Sequence, residues 1–218
     1  RTIFLGYAEA STGIVPKNAP EFYDADLPAY AFDVDKANAL LDEAGYSKGT
    51  NGVRFSLKLL PAPYFTETRQ FGDYLRQALA AVGIDAVVVN NDSAAHQKAV
   101  YTDHDFDLAV APPVFRGDPA ISTTVLVRSG TPAGVPFSNQ GGYANAELDA
   151  LIDKANETVD VAARTELFRR LQRVVAQDLP LINVAEWGFI TVASTKVKNV
   201  SNNPRWAVSN WADTELES

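Results

Sequence analysis

GGYANAELDALIDKANETVDVAARTELFRRLQRVVAQDLP, residues 141–180, decides the fold. It reads as a helical hairpin. Asn145 stands at an N-cap position, and Leu148, Leu151, Ile152 and Ala155 follow at three- and four-residue steps, so their side chains share one face of a helix. Asp160 caps a second helix whose apolar stripe is Val161, Leu167, Phe168, Leu171, Val174 and Val175. Arg164, Arg169, Arg170 and Arg173 fall mostly off that stripe. Pro180 closes this helix, and LINVAEWGFITVAS (181–194) reads as two short strands.

Working outward, the segment before the hairpin alternates strands and helices. Asn51-Gly52 is a turn signal, and GVRFSLKLL then sends Val53, Phe55, Leu57 and Leu59 inward and Arg54, Ser56 and Lys58 outward. A helix is expected from about Thr66 to Val82, with Phe71, Leu75, Ala78, Leu79 and Val82 on one face and Gly83 ending it. IDAVVVN follows as a buried strand rich in β-branched residues. This strand–helix–strand order predicts a right-handed βαβ unit with parallel strands. A short helix, Ser93 to Val100, leads to a further strand, FDLAVAP. The fold class is therefore α/β, a mixed sheet with βαβ units and a helical hairpin, expected as one domain over residues 1–218.

Residues 1–32 look irregular, because Gly6, Gly13, Pro16, Pro20 and Pro28 interrupt any regular element. So long a loop inside a compact domain is unusual, which suggests a segment that wraps or links to another body. FDVDKANALLDEAGY follows, with Asp33 as N-cap, Ala37, Leu40, Leu41 and Ala44 as an apolar face, and Gly45 just past the end. The opening RTIFLGYAEAS has no basic region followed by a long apolar core, and with arginine first the chain is expected to be a fragment or a processed form.

Composition removes several function classes. The chain has 218 residues, of which 46% are hydrophobic, enough for a sizeable core. Its net charge of −8 leaves no basic stripe to neutralise phosphates, so nucleic acid is not an expected partner. Cysteine is absent, which excludes a disulfide frame, a thiolate metal site and a cysteine nucleophile within this chain. No apolar run is long enough to predict a membrane span.

Candidate chemistry is sparse. His104 with Asp103, Asp105 and Asp107 could be read as a metal cluster, but adjacent residues converge poorly on one ion, and no calcium-loop glycine pattern is present. No nucleophile elbow or phosphate-cradling glycine loop occurs. Neither cofactor nor metal is expected, and the chain is not expected to be an enzyme. Trp187, Trp206 and Trp211 invite a sugar-stacking reading, although tryptophan is equally at home in cores. The stretch APPVFRGDPAIS is the most informative for a ligand. Arg116, directly after Phe115 and at the end of a strand, can hold a carboxylate bidentately while the aromatic ring supplies apolar contact. The alternative is that Arg116 pairs with Asp118 and Phe115 is simply packed.

Two phrases carry a family resemblance. One is Tyr143, Asn145, Asp149 and Leu151, continued by Arg164 and then Asp178 and Pro180. The other is Phe32, Asp33, Lys36, Ala37, Leu40, Leu41, Ala44, Gly45 and Tyr46. Together they resemble the extracellular solute-binding proteins of family 5, the peptide and nickel type that serve ABC importers. The resemblance runs from about Phe4 to Trp211. It implies one lobe, the C-terminal one, of a two-lobed periplasmic-binding-protein-like (type II) fold, with residues 1–32 and 200–218 as inter-lobe or wrapping segments. It further implies a small-molecule or peptide-like solute, a membrane ABC permease and the N-terminal lobe of the same parent chain as partners. The implied location is periplasmic or extracellular, a lipid-anchored parent being one form. Asn139 and Tyr143 match family positions facing the cleft, and with Phe115 and Arg116 they make up the expected ligand-binding residues. In peptide-binding members an aspartate holds the ligand's amino group and a tryptophan precedes it. Here those positions fall on Phe115 and Pro112, so recognition of a peptide amine through that aspartate is not expected. A sensory or adaptor module that kept the lobe and lost transport is the alternative reading, with an α/β hydrolase behind it.

Overall fold

The structure, a computed structural model, describes residues 3–188, 192–200 and 211–217. In chain order the elements are β1 (Ala8–Ala10), α1 (Val34–Glu43), β2 (Phe55–Pro61), α2 (Thr66–Ala80), β3 (Ile84–Val88), α3 (Ser93–Gln97), β4 (Leu108–Val110), α4 (Ala146–Glu157), α5 (Val161–Asp178), β5 (Ala185–Trp187), β6 (Val197–Lys198) and β7 (Glu215–Leu216). They form two compact units. One comprises Arg1–Pro28, Pro113–Ser129 and Ala144–Ser218, and the other Ala29–Pro112 and Gly130–Tyr143.

The caps read from sequence are made. Asp33, Asn145 and Asp160 accept from the backbone N–H groups of Lys36, Leu148 and Ala163 at 2.8, 3.1 and 2.8 Å, starting α1, α4 and α5. Gly45, at φ +87°, ends α1 in a Schellman pair: its N–H bonds Asp42 O at 3.0 Å and that of Tyr46 bonds Leu41 O at 2.9 Å. Helix α5 ends at Asp178, just ahead of Pro180. Its last residue is capped by Leu179 in the left-handed region (φ 52°), one residue before the proline.

The second unit holds the β-α-β core. β3 and β4 pair in parallel with β2 on either side, giving the order β3-β2-β4. The expected βαβ connection through α2 is thus present. Parallel and antiparallel pairing are segregated into different sheets, because β1–β5 and β6–β7 are separate antiparallel pairs in the first unit. Toward the end of β2 both faces are covered: Leu59, Leu60 and Pro61 are all fully buried. Leu60 packs with Val100 and Tyr101, with Val89, Ala99, Phe106 and Ala109 around them. Helix α2 passes β2 closely enough that Gly72 lies over the Pro61 ring.

The sequence pattern does not specify the burial of Arg54 or the exposure of helix α1. Arg54 was expected outward, on a wet or partly covered face, and only 2% of its side chain is exposed. Its Nε donates to Val82 O at 2.8 Å, one terminal nitrogen donates to Asn38 Oδ1 at 3.0 Å, and the other bonds Asp42 and Tyr46 O. Four acceptors make its burial tolerable, and through them Arg54 ties α1 to the sheet. Helix α1, conversely, buries no residue, with Leu40 54% exposed and the preceding Phe32 81% exposed.

The first unit is built on the hairpin. Leu148, Leu151, Ile152 and Ala155 of α4 are all buried, as are Phe168, Leu171, Val175 and Ala176 of α5. Val161, assigned to the α5 stripe, is instead 69% exposed. Gln172 takes a core place unforeseen in the pattern; its Nε2 donates to Phe22 O at 2.8 Å and Phe168 O at 3.1 Å. The proline-rich N-terminal stretch supplies Val15, Ala19, Phe22 and Leu27 to the core, and Phe22 meets Phe168 edge to face at 5.4 Å. It also holds β1, which pairs with β5 through Ala8 opposite Trp187. Of the two strands read from 181–194, the first is β5; the reading of the second falls on a stretch that includes 189–191, outside the described residues.

Candidate functional site

The segment after β4 enters the first unit at Pro113. Phe115 is half-buried and Arg116 is exposed. Gly117 (φ +88°) turns the chain into Asp118, which caps a short 3-10 turn, Pro119–Ile121, by accepting from Ala120 N–H at 2.8 Å. The Asp118 carboxylate does not serve Arg116. It accepts two hydrogen bonds from the Arg164 guanidinium, at 2.9 and 2.8 Å. Of the two readings of this stretch, pairing of Arg116 with Asp118 is therefore not what the chain does. Arg116 makes no ion pair among the described residues.

Arg164 itself is thoroughly engaged. Its Nε donates to Ala155 O at 3.2 Å, and its guanidinium lies 4.7 Å from the Phe168 ring centroid and 5.4 Å from that of Phe22. Burial raises the cost of charge on Asp118, but the hydrogen bonds from Arg164 and Ala120 and the Arg164 charge outweigh it and hold the carboxyl below its ordinary range. Sequence reading missed this pair. Arg164 was visible as an off-stripe arginine on α5, but nothing in one dimension links it to an aspartate 46 residues earlier.

In the second unit the structure brings Asn139 and Tyr143 together through the backbone. Asn139 Nδ2 donates to Tyr143 O at 2.7 Å, and Tyr143 N–H donates to Asn139 Oδ1 at 3.1 Å. Asn139 is buried, and its amide closes the turn that presents Tyr143. Phe137, just before it, holds a left-handed backbone (φ 59°) and packs 6.0 Å from Tyr101 and 5.9 Å from Tyr64. His96, 1% exposed, meets Tyr64 edge-on at 6.0 Å. Burial lowers its pKa, and its Nδ1 has no hydrogen-bond partner among the described residues.

The remaining candidates have other occupations. His104 Nδ1 lies 3.0 Å from Gln140 O. Asp105 and Asp103 pair with Lys58 and Lys98, and Asp107 accepts from Lys58 N–H at 2.6 Å. Among the described residues no three potential metal ligands converge. Trp187 packs on Phe4 at 5.0 Å within the β1–β5 pair. Trp206 lies outside the described residues, and Trp211 is partly exposed.

Residues 1–135 match the sequence model of the bacterial extracellular solute-binding proteins, family 5 (middle region). The chain belongs to that family. Among curated relatives it is similar to the glutathione-binding protein GsiB of Escherichia coli (strain K12), at 27% identity over 189 residues. The aligned part is 84% of this chain, and the chain spans 35% of that relative's length. Solved structures of family 5 members carry the same fold. The periplasmic binding protein DppA of Helicobacter pylori, in complex with peptide STSA, superposes with a TM-score of 0.76 at 21% identity, over 100% of this chain and 41% of that one. NikA of Staphylococcus aureus, in complex with Ni(L-His)2, gives a TM-score of 0.72 at 21% identity, over 93% and 41%. The α/β architecture is thus that of part of a type II periplasmic binding protein. Family 5 relatives are transport components that bind solutes rather than enzymes. Among the described residues no helix is long and apolar enough to cross a membrane.

Proposed function

We propose that this chain is the C-terminal lobe of a two-lobed solute-binding protein of an ABC importer. The full-length protein captures a small, peptide-like anionic solute in the cleft between its lobes and delivers it to a membrane permease by hinge closure, without making or breaking a bond. It works outside the cytoplasmic membrane, in the periplasm or at the cell surface, where a lipid anchor would hold it. Residues 200–218 run to the N-terminal lobe, whereas residues 1–32 are a wrapping segment, with Phe22 packed on α5.

Family membership supports the class. The observation that carries the chemistry is Arg116, an exposed cation whose neighbouring carboxylate is already taken by Arg164. A guanidinium left in that state can meet a solute carboxylate bidentately. Phe115 beside it supplies apolar contact in place of a charged partner for an amine. Tyr143, on the turn closed by Asn139, is a further candidate contact.

The test is native mass spectrometry of the full-length protein from its own export pathway, followed by denaturation to identify what is released. A bound anionic solute supports the reading, and Arg116→Gln should then weaken its binding about ten-fold. An empty protein that responds to no peptide, sugar or metal chelate in thermal shift would favour the adaptor reading. The isolated 218-residue chain holds half a site and should bind weakly; sub-micromolar binding by it would overturn the two-lobe assignment.

A further inference from the structure

We infer that Arg164 is the positioning residue for the solute-binding turn: through Asp118 it both fixes that turn and keeps Arg116 free to meet an anion. The inference rests on the reading of Arg116 as the anion contact. Four groups surround the Arg164 guanidinium: the Asp118 carboxylate, Ala155 O, and the rings of Phe168 and Phe22. They come from the 115–118 turn, from α4, from α5 itself and from the N-terminal stretch. Arg164 therefore locks the turn to the packed hairpin, two residues from Arg116.

The bidentate geometry matters because Arg116 and Gly117 are exposed, and among the described residues the Arg116 side chain makes no hydrogen bond or ion pair. Arg116 is aimed only by its backbone, and that backbone is anchored at Asp118. A partly buried ion pair adds little net stability over an apolar substitute, so its use here points to geometry rather than to strength. It also has an electrostatic effect. An aspartate two residues from an arginine is a competitor for it. With both its oxygens on Arg164, Asp118 cannot neutralise Arg116 as a solute carboxylate approaches.

The two effects separate in a pair of variants. Arg164→Gln releases the turn and frees Asp118 to compete for Arg116. Adding Asp118→Asn removes that competitor, while asparagine still caps the 3-10 turn as well as aspartate does. In the full-length protein, isothermal titration with glutathione and a panel of di- and tripeptides reads the result. R164Q should bind the best of these about ten-fold more weakly than wild type, and R164Q with D118N should recover part of that loss, the remainder reporting the released turn. R164K, which keeps the charge but not the fork, should fall between wild type and R164Q and serves if R164Q does not fold. A residue that merely stabilises the hairpin would leave the double variant no better than R164Q, and that result overturns the inference. So does unchanged binding by R164Q or R164K. Wild-type protein that binds no member of the panel overturns the anion-contact reading first, and this inference with it.

Discussion

Gly72 lies in α2 above the Pro61 ring, and replacing it with alanine sets two effects of opposite sign against each other. In a helix interior alanine is favoured over glycine by about 1 kcal/mol. A Cβ at this position, however, would lie 2.4 Å from Pro61 Cγ and 3.2 Å from its Cβ. Carbon atoms pack at about 3.5–4.0 Å, so the helix or the strand must give by about 1 Å. Neither gives easily. The proline ring is rigid and fully buried, and Pro61 is held in β2 opposite Val110. Overpacking of this kind costs about 1–3 kcal/mol, and so short an approach belongs in the upper half of that range. The net expectation for Gly72→Ala is therefore a destabilisation of about 1–2 kcal/mol. Urea denaturation followed by circular dichroism would measure it, and hydrogen exchange in β2 and β3 would assign it to this unit. A variant as stable as the parent, or more stable by the propensity difference, would refute the close approach of α2 to β2.

Arg54→Ala should detach α1 selectively, lowering amide protection in Val34–Glu43 by about ten-fold or more while β2 and β3 change less; uniform loss would mean that Arg54 acts on the whole unit. The same change should abolish an acid effect. Hydrogen bonding to Arg54 holds the Asp42 carboxyl below its ordinary pKa, so this contribution is present above about pH 4 and is lost as pH falls through the lower folded-state value. Burial likewise lowers the His96 pKa, so the unfolded chain takes up a proton first and stability should decline as pH falls below about 6.5. His96→Phe should flatten that decline between about pH 7 and 5, and equal slopes in the two proteins would argue against a neutral buried imidazole. Asn139→Ala removes both bonds to the Tyr143 backbone and should cost about 1–2 kcal/mol in denaturation, with an unchanged midpoint counting against the clasp.

What could be read from the sequence was whatever is written locally. Asp33, Asn145 and Asp160 announced their helices because a cap and its N–H partner lie three residues apart. The four apolar residues of α4 gave its buried face for the same reason. β1 was not legible: three residues, Ala-Glu-Ala, carry no strand pattern, and their structure comes from pairing with β5 far along the chain. The apolar face of α1 was legible as a face but not as exposed, since periodicity says which side is apolar and not what covers it. At the candidate site, Arg116 and Phe115 could be picked out by their place after a strand. The commitment of Asp118 to Arg164 could not, because both arginines are chemically able to take it and only the folded hairpin chooses between them.

The discontinuity of the first unit has a consequence for how the chain comes to be folded. Gln172 bonds Phe22 across 150 residues, and Arg173 bonds Asp24 across 149. The second unit, by contrast, draws most of its residues from one run, Ala29–Pro112. Contacts that close long loops form late, because the ordering entropy must be met before they contribute. Val15, Phe22 and Leu27 are synthesised well before α5 and are without a core until it has been made. The β2–α2–β3 unit can form in that interval. Residues 1–28 are thus among the last of this stretch to settle, and exposure to misassociation is greatest while the β2–α2–β3 unit is already native and the separated segments of the first unit have yet to meet.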